Sequence, residues 1–210
     1  MKLYNYWRSS SSYRVRIALH LKELPFEYMV VNLLTDEQKT PEHRARSPLG
    51  TVPVLELDDG RRLTESLAII QYLDEVKDTP PLLPRDPYLR ARARMLAELV
   101  NAGIQPLQNM AVGKYVKELG GDDKAWTRHW IARGLAGLEA AVQDTAGRFS
   151  VGDEVSLADC TLVPQLTHAR RFQVDLAGCP TLLRIEAACL DLPGFQRAAP
   201  EVQPDAPRTE

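Results

Sequence analysis

Pro80, Pro81, Pro84 and Pro87 crowd into one short stretch of this 210-residue chain, and nothing else in it constrains the architecture as strongly. Proline fixes φ and has no amide hydrogen, so neither a helix nor a paired strand runs through such a segment. The stretch reads as a stiff linker. It predicts a first domain over residues 1–80, a linker over 81–87 and a second domain over 88–210. At about 150 residues per domain the length allows one large domain or two small ones, and the prolines favour two.

The two sides carry different hydrophobic periods. Residues 2–7 are rich in aromatics and read as a strand, and residues 13–24 place Val15, Ala18 and Leu19 at helical spacing before Pro25. Residues 26–34 form a second strand candidate, 35–47 are charged and irregular with some helix, and 54–57 are a third strand. Asp58-Asp59-Gly60 signals a hairpin turn into a short strand over 62–64, and residues 66–76 then repeat as a helix with Ile69, Ile70 and Leu73 on one side. The order β-α-β-α-β-β-α predicts an α/β sheet domain. From Tyr88 the pattern turns helical, over 89–119, 123–146 and 157–172 with shorter pieces after Pro180 and Pro193, which predicts an all-α bundle. Residues 201–210 read as a polar tail that lies on the surface or frays.

Composition excludes several function classes. Hydrophobic residues at 44% are too many for intrinsic disorder. With 26 Lys and Arg against 28 Asp and Glu, the net charge of −2 offers no general attraction to nucleic acid or to an anionic membrane surface. No apolar run approaches the roughly 20 residues of a transmembrane helix, and residues 1–7 lack the apolar core of a signal peptide, so the expected location is cytoplasmic. Cys160, Cys179 and Cys189 are odd in number and form no CxxC pair, which predicts buried thiols. His20, His43, His129 and His168 lack metal-ligand spacing, and no metal site is expected.

Three segments could carry chemistry. Arg8-Ser9-Ser10-Ser11-Ser12 joins the first strand to the first helix. Helix amides at such a junction point outward and favour an anion. Hydroxyls of Ser9, Ser10 and Ser11 could donate to a thiolate, pulling a thiol below its ordinary ~8.5; the same serines could equally form a capping loop. Val52-Pro53 precedes a strand, where a cis bond would turn the Val52 backbone toward an extended peptide, and a plain strand-edge proline is the alternative. Glu65-Ser66 opens the next helix as a second anion site or as an ordinary N-cap.

Taken in sequence, the three segments and the element order resemble a thioredoxin-like domain, in the form of the glutathione-binding half of the glutathione transferases. Ser9-Ser10-Ser11-Ser12-Tyr13-Arg14-Val15-Arg16-Ile17-Ala18-Leu19 is similar to the zeta-class signature, in which Ser-Ser-Cys precedes Arg-Val-Arg-Ile-Ala-Leu. The segment 101–109 and the tail 195–207, with Gln203-Pro204-Asp205, resemble that class too, and Ser156-Leu157-Ala158-Asp159 resembles the family's capping box. One departure is Ser11, which stands where the family usually carries Cys, so no mixed disulfide with glutathione can form there.

The class includes maleylacetoacetate isomerase and bacterial maleylpyruvate isomerase, and the resemblance implies a glutathione-dependent cis-trans isomerase of a maleyl keto-diacid in aromatic catabolism. Thiolate addition, rotation about the resulting single bond and elimination return glutathione unconsumed. By resemblance Ser9 is the principal hydroxyl donor to the thiolate, supported by Ser10 and Ser11. Val52, beside Pro53, pairs with the cysteinyl backbone; Glu65 and Ser66 hold the γ-glutamyl end, and Gln38 and Gln108 contact glutathione. Arg8 and Arg171 are the candidates for the substrate carboxylates, with a structural ion pair as the alternative for Arg171. The resemblance also implies a homodimer. A generalist transferase for halogenated electrophiles and a non-catalytic scaffold are the rival readings.

Overall fold

The computed structural model describes residues 1–207. In chain order the elements are β1 (Lys2–Asn5), α1 (Ser10–Leu21), β2 (Glu27–Val30), α2 (Pro41–Arg44), β3 (Val54–Glu56), β4 (Arg62–Leu63), α3 (Ser66–Val76), α4 (Pro87–Asn101), α5 (Met110–Glu118), α6 (Asp123–Val142), α7 (Leu157–Arg171), α8 (Pro180–Leu190) and α9 (Pro193–Ala198). Short 3-10 turns occupy Glu37–Lys39 and Pro200–Val202. By its contacts the chain divides into two units, one of Met1–Leu82 with the residues from Leu192 onward, the other of Leu83–Asp191. The architecture is a four-stranded mixed sheet with helices followed by a helical part, the order expected of a thioredoxin-like domain and an all-α one.

In the first unit the strands lie in the order β2-β1-β3-β4. β1 runs parallel to β2, with Lys2 opposite Glu27, which requires the crossover that α1 supplies. It runs antiparallel to β3, with Tyr4 opposite Val54, and β3 returns as β4 through the turn closed by Gly60 N–H on the Leu57 carbonyl. Alternation along the strands places Tyr4 and Tyr6 in one buried cluster with Val31, Val52 and Val54; Leu3 and Leu55, one residue out of phase, face the other side. α1 is buried from Ser12 to Leu19 because α3 and α9 both pack on it. α9 comes so close that a Cβ on Gly194 would lie 2.8 Å from a Leu21 methyl.

The helical unit packs α4 against α6 and α7, α5 against α6, and α7 against α8. Its core includes Leu96, Val100, Ile131, Leu135, Leu162, Val163, Leu166 and Ile185, all nearly inaccessible. Asp159 is fully buried and accepts from the Ser156 amide at 2.7 Å, the Ser156 hydroxyl at 2.9 Å and the Ser150 amide at 2.8 Å, which secures the start of α7. All three cysteines are free and buried. No helix among the described residues is long and apolar enough to cross a membrane.

Three boundaries differ from the sequence expectation. α1 begins at Ser10 rather than at residue 13, because Ser9 caps it and draws the serines into its first turn. The expected helix over 89–119 is two helices: Pro106 removes an amide donor, and Asn109 caps α5 through its side chain. The residues from Leu192 onward, expected with the helical bundle, belong by contact to the first unit, since α9 packs on α1.

Candidate active site

Ser9 is both cap and open donor. Its Oγ accepts the Ser12 amide at 3.2 Å, and its own amide donates to the Tyr6 carbonyl at 3.0 Å, closing the turn that leads into α1. A hydroxyl has one proton and two lone pairs, so capping engages an acceptor site and leaves the proton to donate. The amides of Ser10 and Ser11, in the first helical turn, have no partner among the described residues, nor do their half-buried hydroxyls. Three O–H and two N–H groups thus stand open at the positive end of α1.

The second segment is held from beneath. Ser47 Oγ accepts the Thr51 amide at 3.1 Å, and the buried His43 ring donates through Nε2 to the Thr51 carbonyl at 2.9 Å. Gly50 has φ +64°, and a Cβ there would lie 2.8 Å from the Gln38 carbonyl oxygen, so the loop crosses Gln38 where only glycine fits. The Val52–Pro53 bond is cis. Val52 packs with Tyr6 in the cluster beside Trp7, and neither its N–H nor its C=O has a partner among the described residues. Gln38 donates to Asp36 at 3.2 Å while its own Oε1 is buried without a partner. Gln38 therefore lies against the loop that leads to Val52 and Pro53, and both the Val52 backbone and the Gln38 amide oxygen have no partner among the described residues.

At α3 the expected cap is absent. Glu65 takes the cap position with φ +65°, a conformation that costs a non-glycine residue about 1–3 kcal/mol and persists only where the surroundings impose it. Ser66 is the first helical residue, buried, and its Oγ accepts from Arg14 Nη1 at 3.2 Å. The Ser66 hydroxyl proton and the Ser66 and Leu67 amides have no partner among the described residues. Arg14 links the two helix starts, since it rises from α1.

Arg16 fixes the turn before Ser9. Fully buried, it donates to the carbonyls of Tyr6 (3.3 Å), Trp7 (2.9 Å) and Ala198 (3.1 Å) and to Asn5 Oδ1 (3.0 Å). Burial pushes its pKa down to about 10, so the guanidinium stays charged at neutral pH. Sequence reasoning missed Arg14, Arg16, His43 and Ser47. Two arginines two residues apart inside an apolar helical run were the available signal, because charges that cannot both face water must find partners inside.

The remaining expected residues divide by unit. Arg8 is half-buried, its guanidinium 5.7 Å from the Trp7 ring centroid, and it forms no ion pair among the described residues. Gln108 lies in the helical unit, buried, in a reciprocal amide pair with Gln165 at 2.9 Å in both directions, so its polar atoms are already engaged. Arg171 is exposed at the end of α7, 5.7 Å from the Phe172 ring centroid. Its neighbour Arg170 holds Glu186 in a two-pronged contact, one prong at 2.6 Å.

Residues 8–76 match the family described as glutathione S-transferase, N-terminal domain. A probable maleylacetoacetate isomerase 2 of Drosophila melanogaster is 47% identical over 207 residues, covering 98% of this chain and 90% of that protein. A maleylpyruvate isomerase of a Ralstonia species is 46% identical, covering 98% and 100%. The crystal structure of maleylacetoacetate isomerase from Anaeromyxobacter dehalogenans, with bound dicarboxyethyl glutathione and citrate in its active site, superposes with a TM-score of 0.90 at 53% identity over 99% of this chain and 97% of that one. Likeness of this extent, together with the open helix starts at Ser9 and Ser66, identifies the chain as a member of the zeta-class glutathione transferase family.

Proposed function

We propose that the chain is a glutathione-dependent cis-trans isomerase of a maleyl keto-diacid, acting on maleylacetoacetate, with maleylpyruvate as the alternative substrate. The observation that carries this reading is the set of open polar groups in the first unit: the Ser9 hydroxyl with the Ser10 and Ser11 amides, the Val52 backbone, and the start of α3 at Ser66. Their chemistry fits glutathione, a peptide with one thiol, one extended backbone unit and a terminal α-carboxylate. The Anaeromyxobacter relative holds an adduct of glutathione with a dicarboxylic fragment, which is the chemistry that a maleyl substrate would give.

Glutathione, when bound, supplies the sulfur nucleophile whose reversible addition makes the maleyl double bond rotatable. Ser9 donates to the sulfur and, with the Ser10 and Ser11 groups, favours its thiolate form. Val52 aligns the cysteinyl backbone, Gln38 contacts the peptide through its open Oε1, and Ser66 with Glu65 receives the γ-glutamyl end. Arg8 and Arg171 pair the substrate carboxylates in the guanidinium fork and stabilise the enolate that develops. In this reading the first unit is the glutathione-binding domain and the helical unit carries substrate specificity. Gln108, engaged with Gln165, acts by supporting the helical core.

We also infer a cytoplasmic homodimer, supported by the family likeness and by the exposed apolar residues Tyr88, Leu89 and Met95 on α4. Absorbance assays of both substrates with and without glutathione test the activity; no turnover of either in the presence of glutathione overturns it.

A further inference from the structure

We propose that Asp205, in the tail that follows α9, is a positioning residue for the Ser9 turn, so that the end of the chain tunes the sulfur site at its beginning. Asp205 Oδ2 accepts the Trp7 amide at 3.0 Å and Oδ1 accepts the Tyr28 hydroxyl at 2.6 Å. Trp7 lies two residues before Ser9. Its carbonyl is held by Arg16 Nη2, so both ends of its peptide geometry are fixed by side chains. Arg16 in turn holds the Ala198 carbonyl at the end of α9, which ties turn and tail into one network.

The tail is built to present this carboxylate. Gln203, mostly buried, donates to the Arg197 and Ala199 carbonyls at 2.9 and 2.8 Å, folding the chain back on α9. The Ala206 amide then closes a turn on the Gln203 carbonyl, with Pro204 and Asp205 at its centre. Burial and the hydrogen bond to Asp205 push the Tyr28 phenol above its ordinary value, which keeps its hydroxyl a donor. Loss of the carboxylate would free the Trp7 amide and let the turn, with Ser9, relax. A small displacement of a positioned donor has a large effect on rate.

The inference rests on Ser9 as the sulfur donor, and the test separates the two. Titration of the bound glutathione thiolate by absorbance, with kcat and KM for the isomerase substrate, is made on Asp205→Ala, Asp205→Asn, Tyr28→Phe and Ser9→Ala. Asparagine can accept from Trp7 N–H and donate to the Tyr28 oxygen, so it should restore what alanine removes. Asp205→Ala should raise the thiol pKa and lower kcat by about tenfold with a smaller change in KM. Asp205→Asn should return both near wild type, and Tyr28→Phe, which keeps the Trp7 contact, should shift them little. An unchanged thiolate titration in folded Asp205→Ala overturns the proposal whatever Ser9→Ala does. Should Asp205→Ala fail to fold, loss of the wild-type titration in folded Asp205→Asn also overturns it. A normal titration in Ser9→Ala with a shifted one in Asp205→Ala removes Ser9 as donor while retaining the tail's control of the turn.

Discussion

The two units bury polar groups to opposite ends. In the first, Arg14, Arg16 and Lys22 are inside, and they reach a side-chain hydroxyl, backbone carbonyls and, for Lys22, the Asp74 carboxylate at 2.7 Å. The turn that Arg16 fixes leads into Ser10 and Ser11, whose amides have no partner among the described residues, and the loop held by His43 and Ser47 leaves the Val52 backbone open in the same way. In the helical unit two sets of buried polar groups close on one another, Gln108 with Gln165 and Asp159 with Ser150 and Ser156. Buried polar groups satisfied internally stabilise a core; groups held rigid yet unsatisfied mark a place prepared for a ligand.

The largest expected effect breaks this comparison if it fails. Arg16→Ala strands the Tyr6, Trp7 and Ala198 carbonyls and Asn5 Oδ1, which should cost about 4 kcal/mol at 1–3 kcal/mol per buried group less what relaxation recovers. Asp159→Ala strands three donors and should cost about 3 kcal/mol. Urea unfolding measures both. Calorimetry on the folded fraction should show weaker glutathione binding only for the arginine variant, and equal losses in both would erase the distinction between the units.

Next in size is the sulfur site itself. Ser9→Ala removes the open hydroxyl and the cap together, and should lower turnover by roughly ten- to a hundredfold while raising the thiol pKa. Ser11→Ala, whose hydroxyl has no partner among the described residues, should lower turnover by less than about threefold. Parallel pH titrations of bound glutathione order the two, and a larger shift for Ser11→Ala would move the donor role along the turn.

Much of this was legible beforehand because the signals were local. Asp58-Asp59-Gly60 marked the hairpin, and Val52-Pro53 and Glu65-Ser66 announced turns whose geometry depends on few neighbours. At Glu65-Ser66 the cap alternative does not hold: Arg14, from a distant turn, engages the Ser66 oxygen, and Glu65 adopts the unusual φ, neither of which the dipeptide announces. Nothing local in the tail, expected to lie on the surface or fray, announces Asp205, which finds Trp7 and Tyr28 only after the chain has closed over nearly its whole length. The Gln108–Gln165 pair is hidden for the same reason, since its members stand 57 residues apart. Long-range pairing of polar groups leaves no periodic trace in a sequence.

Substrate charge sharpens the comparison from the other side. If the helical unit contributes specificity, Arg171→Ala should lower turnover of the maleyl diacid at least about tenfold, or about 1.4 kcal/mol, and leave conjugation of an uncharged chloroaromatic nearly unchanged. Steady-state rates for both substrates decide it. A parallel fall in both activities makes Arg171 structural, and no fall in either favours a generalist transferase.

The smallest effect belongs to the end of α1 remote from Ser9. Burial lowers the His20 pKa from 6.5, with repulsion from Arg197 and Arg16 adding to it. The ring also stacks edge-on against Phe26, at 5.6 Å between centroids, an arrangement available to the neutral form. A folded pKa below the unfolded value means that the unfolded chain binds the proton more readily. The His20 contribution is therefore present in full above pH 6.5 and is lost as pH falls through the lowered folded value. Urea midpoints of wild type should decline between about pH 7.5 and 5, and the decline should be shallower in His20→Gln. Because His20 is far along α1 from the serines, glutathione affinity in that variant should not change over the same range; a matching loss of affinity would show that protonation at one end of α1 reaches the turn at the other.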